Sequence, residues 1–309
     1  MPALRALRPP RLTVALLAAL TAGFPASTGA QEGAIADTGR VRIVSIPGSV
    51  PAPRTATVVL PAGYHHSTRR YPVLYLLHGH DGAHWNWMHR TNLLVHTERL
   101  PLIVVLPDAG NSWYTNSFAR PDERFEEYVA RDVPGYIDQN FRTLNYREAR
   151  FVAGLSMGGY GALKLGLKHP ARFSLAGSFS GAPLAAGDTS YQTVRDAFGP
   201  AGSAARAEND LLALARAIPA AAAPYFYFDC GTADRLLPGN RALAEAMAAR
   251  PLAYEYHEVP GAHGWEFWDR RLPVFLKLVE ERIARLPAAG PGGSRSSGWQ
   301  PPAAGPFLP

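Results

Sequence analysis

The stretch Gly154-Leu155-Ser156-Met157-Gly158-Gly159 constrains this chain more than any other. It follows the apolar run Phe151-Val152-Ala153 and opens a segment of helical character, Gly158–Lys168. A G-x-S-x-G pattern is common by itself, but between a strand and a helix it has one geometry. The chain reverses so tightly that the residues two before and two after the serine nearly collide. A side chain at 154 or 158 would clash. The serine is held in a strained backbone conformation with its hydroxyl exposed. The helix N-terminus beneath it favours developing negative charge. Ser156 is therefore the candidate nucleophile.

A serine hydroxyl is a poor nucleophile until a base takes its proton. In proteins built around this turn the order along the chain is Ser, acid, His. Only His169, His257 and His263 follow Ser156. His169 ends the helix that Ser156 starts, before Pro170, and suits a helix cap. His257 lies inside the alternating stretch Tyr254–Val259 and suits a structural role. His263 sits in the loop Pro260-Gly261-Ala262-His263-Gly264-Trp265, just past the last strand, where a base belongs. The acid should follow the preceding strand, Tyr225–Phe228. Asp234, on the loop beyond it, is favoured, and Asp229, at the strand end, is the rival. An oxyanion site needs two backbone N–H groups. Met157 supplies one, and the loop Leu77-His78-Gly79-His80 supplies the other, assigned to His80. The spacing of His78, His80 and His84 fits no strong zinc pattern, so neither metal nor organic cofactor is expected.

The rest of the sequence supplies the scaffold. Val41–Ile46 and Thr55–Leu60 alternate as an antiparallel pair would. Val73–Leu77, Leu102–Leu106, Phe151–Gly154, Phe173–Gly177 and Tyr225–Phe228 are near-continuous apolar runs, as buried parallel strands require. Helical patterns fall between them at Asp122–Phe141 (kinked at Pro134), Gly158–Lys168, Arg241–Ala249 and Trp268–Leu286. Such alternation predicts an α/β fold, a mostly parallel sheet with helices on both faces. Residues 183–223, rich in Ala and Gly, interrupt the alternation and are expected to cap the sheet's carboxyl edge, with one helical piece at Asp210–Ala217.

Arg5, Arg8 and Arg11 precede an apolar stretch, Leu12–Phe24, and then Ser27-Thr28-Gly29-Ala30. This reads as an export signal cleaved after Ala30, giving a secreted or periplasmic protein without stable membrane insertion. Those arginines account for half of the net charge of +6, and no Lys/Arg run marks a nucleic-acid surface. With Cys230 as the single cysteine, no internal disulfide can form, and its apolar setting suits a buried inert thiol. The Pro/Gly-rich stretch 287–309 is expected to be a disordered tail.

The segments YLLHGHDGAHWNW, VVLPDAGNSWYTN, GLSMGGYGALKLGLKHP, FDCGTADRLL and VPGAHGWEFW, in this order, resemble one family of α/β-hydrolases. It groups S-formylglutathione hydrolases, feruloyl and acetyl-xylan esterases, short-chain tributyrin-type esterases and mycolyltransferases. The resemblance covers roughly residues 40–286 and agrees with Ser156, Asp234 and His263. It implies a serine carboxylesterase acting on a small-molecule ester: an acyl glyceride, an acylated sugar or an aryl ester. The segment HGHDGAHW and the export signal depart from the cytosolic S-formylglutathione hydrolases. A mycolyltransferase-type acyl transferase shares the same residues, and a non-catalytic binding module on the scaffold is the reading from another class. Trp87, Trp113, Tyr114 and Trp265, placed on loops at the carboxyl edge, are the expected pocket aromatics and suit short acyl or aryl groups.

Overall fold

The computed structural model describes residues 39–287. The export signal with its cleavage after Ala30, and all but the first residue of the 287–309 tail, lie outside the described residues.

Eight strands form one sheet: β1 (Val41–Ile46), β2 (Arg54–Val59), β3 (Val73–Leu77), β4 (Ile103–Pro107), β5 (Arg150–Leu155), β6 (Leu175–Phe179), β7 (Tyr225–Gly231) and β8 (Tyr254–Val259). Their spatial order is β1-β2-β4-β3-β5-β6-β7-β8. β1 and β2 run antiparallel to their neighbours, and β4 through β8 are parallel. Pleating sends alternate side chains to opposite faces. Val73, Tyr75 and Leu77 enter one apolar core and Leu74 and Leu76 the other, so both faces of β3 are buried. The strand order reverses between β3 and β5, which opens a crevice where their carboxyl ends separate. β3 leads there into His78–Gly79–His80, and β5 into Ser156.

Several boundaries differ from the periodicity. β6 begins two residues later than the apolar run, at Leu175. The helical stretch before β5 runs from Phe125 to Asn140, but Tyr128–Asp132 is a π-helical turn. Pro134 follows two residues after Asp132. It has no N–H to donate to the fourth residue back, so the wider turn takes up the mismatch that a kink was expected to absorb. The segment 183–223 is more helical than its composition suggests: Gln192–Phe198, Ala204–Glu208 and Leu211–Ala217 are all helices. Buried Arg206 organises it by donating to the carbonyls of Ala186, Asp188, Gly199 and Pro200.

A second buried polar cluster joins the helix after β5 to the stretch before it. Glu126 carboxylate oxygens lie 3.0 Å from Lys164 Nζ, 2.9 Å from Lys168 Nζ and 3.0 Å from His169 Nε2. Burial alone would raise the Glu126 carboxyl, but Lys164, His169 and Lys168 outweigh it and hold it well below the ordinary range. His169 is thus tied to Glu126, at its helix's C-terminal end. Glu126→Gln leaves a buried lysine without its counter-charge and should cost about 3–5 kcal/mol. A depressed carboxyl stabilises the fold fully above its ordinary value of 4.5 and less as pH falls below it. The gap between wild type and Glu126→Gln should therefore narrow by about 1.4 kcal/mol per pH unit below that point. Urea titrations of both proteins at neutral and acid pH check this. A gap that is small at neutral pH, or constant with pH, contradicts it.

Candidate active site

Ser156 stands between β5 and the helix Met157–Lys168 with φ 53° and ψ −118°. This is a costly conformation for a residue with a side chain. The predicted collision is present: a Cβ on Gly154 would fall 2.5 Å from the backbone of Gly158. The Ser156 N–H donates to Phe179 O of the neighbouring strand, fixing the turn against β6. His263 Nε2 lies 3.0 Å from Ser156 Oγ, and His263 Nδ1 lies 2.8 Å from Asp234 Oδ2. One tautomer satisfies both contacts: Nδ1–H donates to the carboxylate, and the Nε2 lone pair accepts from the hydroxyl. Burial alone would raise the Asp234 carboxyl, but hydrogen bonds from His263 and the Leu236 amide hold it below its ordinary value. The rival Asp229 bonds other partners than His263. It is fully buried in β7 and accepts from Tyr227 OH at 2.6 Å and Arg271 Nε at 2.8 Å.

Met157 is the first residue of its helix, so its N–H has no carbonyl four residues earlier within the helix to bond. His80 lies across the crevice, on the loop after β3. His80 and Ser156 line the same cleft. The loop is held by a residue whose role the sequence left unassigned. His78 is buried; its Nδ1–H donates to Gly79 O at 2.7 Å, and its Nε2 accepts from the Ala109 N–H at 3.0 Å. Burial lowers the His78 pKa, which keeps the imidazole neutral and this donor–acceptor pattern fixed. His80 Nε2 meets Thr193 Oγ1 at 3.0 Å, and His84 Nδ1 meets Thr57 Oγ1 at 2.8 Å. The three imidazoles are thus turned to three different partners and converge on no common point. Cys230 is buried, and desolvation pushes its thiol up to about 12.

Ser156 and His263 open onto a cleft of about 1290 Å³. Ala182 and, from the capping segment, Pro183–Asp188 and Leu212 line it. Trp85, Trp265 and Trp268 contribute aromatic surface, and Trp113 lines the cleft as well.

A family model described as "Putative esterase" matches residues 48–278. The chain belongs to that family. An acetyl esterase from Caldicellulosiruptor saccharolyticus is 30% identical over 211 residues, covering 64% of this chain and 79% of its own length. An esterase from Mycobacterium tuberculosis (strain CDC 1551 / Oshkosh) is 31% identical over 272 residues, covering 77% of this chain and 57% of that longer protein. The structure of a fluorophosphonate-binding serine hydrolase from Staphylococcus aureus matches with a TM-score of 0.69 at 23% identity, over 78% of this chain and 98% of that one. The fold is that of the α/β-hydrolases, and the protein is a carboxylic ester hydrolase.

The esterase differs from the sequence reading in its aromatics. Trp113 and Trp265 line the cleft, but Trp87 and Tyr114 do not. Trp87 belongs to the helix Asn86–Arg90 rather than a loop, and its indole N–H donates to Leu77 O from within the core. Tyr114 is fully buried with its hydroxyl donating to His78 O at 2.8 Å. Trp85, two residues before Trp87, takes the cleft position instead. The last helix starts at Trp265, three residues earlier than predicted. Trp268 then lies one turn on, its ring 5.0 Å from the His263 imidazole in an edge-to-face contact. The sequence offered the i, i+3 spacing of Trp265 and Trp268, but the expected helix start hid it.

Proposed function

We propose that this esterase hydrolyses short-chain acyl or aryl esters through a covalent acyl-enzyme on Ser156. The observation that carries the reading is the continuous Asp234–His263–Ser156 hydrogen-bonded array opening onto the cleft. His263 Nε2 takes the hydroxyl proton as Ser156 Oγ attacks the ester carbonyl. The carbonyl oxygen becomes an oxyanion opposite the Met157 and His80 amides. The C–O bond to the alcohol breaks, and His263 returns the proton to the leaving oxygen. Water, deprotonated by the same imidazole, then releases the acid and frees Ser156. Asp234 orients the imidazole and stabilises its charged form.

Two features support a short acyl or aryl group. The Trp113 indole is backed by the rings of Tyr160 and Phe198 at 5.9 and 6.2 Å, which makes a firm wall. The Caldicellulosiruptor relative is named an acetyl esterase. A p-nitrophenyl ester series from acetate to palmitate tests the reading, with activity expected to peak at short chains. Trp113→Ala should move the optimum to longer chains, with a shift in relative kcat/KM of about tenfold, the scale of a single methylene in an apolar pocket. A wild-type optimum at palmitate, or a Trp113→Ala profile parallel to wild type, contradicts it.

A further inference from the structure

Lys164 occupies a position where a lysine is costly. It lies on the inner face of the helix Met157–Lys168, two turns after Ser156, with no exposure to solvent. Burying an ammonium group costs several kcal/mol unless it is well paired. Its Nζ reaches Glu126, but it also donates to Tyr114 O at 2.7 Å and to Thr115 Oγ1 at 2.5 Å. Lys168 neutralises the same carboxylate from a partly exposed site at less cost, so charge balance alone does not account for Lys164.

The backbone that Lys164 holds is strained. Trp113 and Tyr114 have φ of 56° and 54°, two consecutive residues with side chains in the left-handed region. Each costs about 1–3 kcal/mol and persists only where the surroundings over-determine it. The helix makes room for the turn at Gly161, where a Cβ would fall 2.4 Å from the Tyr114 ring. The two side chains then serve different parts of the site. Trp113 faces the cleft, with its Nε1 3.4 Å from Thr193 Oγ1 of the capping segment. The Tyr114 hydroxyl holds the carbonyl of His78, at the root of the loop that carries His80.

We propose that Lys164 is a positioning residue, which clamps the strained Trp113–Tyr114 turn and through it sets the oxyanion loop and the Trp113 wall. This rests on the acyl-enzyme reading of Ser156 and His80. A sub-ångström shift of the loop would weaken the oxyanion contact while leaving ground-state ester binding nearly intact. The effect belongs in kcat rather than KM for the smallest substrate.

The test compares Lys164→Met with Lys168→Met. Each removes one cation from Glu126, but only the first reaches the turn. Active sites are counted by a fluorophosphonate probe, and kcat and KM are measured per titrated site with p-nitrophenyl acetate and butyrate. Lys164→Met should lower kcat for acetate about tenfold to a hundredfold at similar KM, the scale of a misplaced catalytic group. For butyrate it should change KM as well. Lys168→Met should leave both constants at wild-type values. Wild-type kcat per site in Lys164→Met, or equal losses in the two variants, overturns the proposal. Should Lys164→Met not fold, Tyr114→Phe removes only the hydroxyl bonded to His78. The same kcat loss supports the clamp, and an unchanged kcat overturns it. Wild-type protein that the probe fails to label at Ser156 would instead overturn the acyl-enzyme reading itself.

Discussion

Ser156→Ala is expected to lower kcat on the order of 10⁶-fold, the scale set by nucleophile removal in subtilisin. The loss is this large because, in the proposed mechanism, the serine oxygen is the atom that bonds to the acyl carbon. Without it no partial route leads to the acyl-enzyme. Some rate above the uncatalysed reaction should survive, since the proposed oxyanion amides of Met157 and His80 and the cleft would still bind the ester. Stability should change little, because the strain at φ 53° belongs to any residue with a Cβ at that position. Steady-state kinetics with p-nitrophenyl acetate, thermal melting and fluorophosphonate labelling check the three expectations. A purified Ser156→Ala protein with wild-type turnover would remove the central residue of the mechanism.

The parts of the site legible in the sequence were those tied to a backbone requirement. The glycines at 154 and 158 are there because the turn leaves no room for a Cβ, so the turn announces itself in letters. His263 and Asp234 were located by their places after strand ends, which the apolar runs mark. The fold class followed from the same runs. Side-chain direction was less legible. Trp85 and Trp87 are two residues apart, and only the fold decides that one faces the cleft while the other donates to Leu77 O inside the core. Tyr114 read as a pocket aromatic because nothing local records its left-handed backbone or the lysine that holds it. Lys164 itself passed for one residue of an amphipathic helix, since a buried lysine is visible only once Glu126 and Tyr114 O are known to meet it. The helical piece expected at Asp210–Ala217 is present as Leu211–Ala217, but the helices Gln192–Phe198 and Ala204–Glu208 were hidden for a related reason. Their shared anchor, Arg206, bonds to carbonyls, and carbonyls carry no sequence signature.

The choice between the two aspartates gives the second large expected effect. Asp234 Oδ2 accepts from His263 Nδ1 while the Leu236 N–H holds its other oxygen at 2.9 Å. In Asp234→Asn an amide NH₂ can face the ring, and it favours the tautomer with hydrogen on Nε2. That imidazole has no lone pair directed at Ser156. The geometry survives but the base is lost, and kcat should fall on the order of 10⁴-fold, as for the same change in a serine protease triad. Melting should stay close to wild type. Asp229→Asn should show the opposite pattern. Its carboxylate neutralises Arg271, which is largely buried, whereas the His263 imidazole bonds Asp234. Losing that charge should cost about 3–5 kcal/mol of stability. Turnover per folded molecule, counted by fluorophosphonate titration, should remain near wild type. The two variants therefore separate chemistry from folding at neighbouring acids on one strand and its loop. If Asp229→Asn abolished turnover in a folded protein while Asp234→Asn retained it, the orienting acid would be Asp229. The hydrogen bond from His263 to Asp234 would then have no part in the reaction.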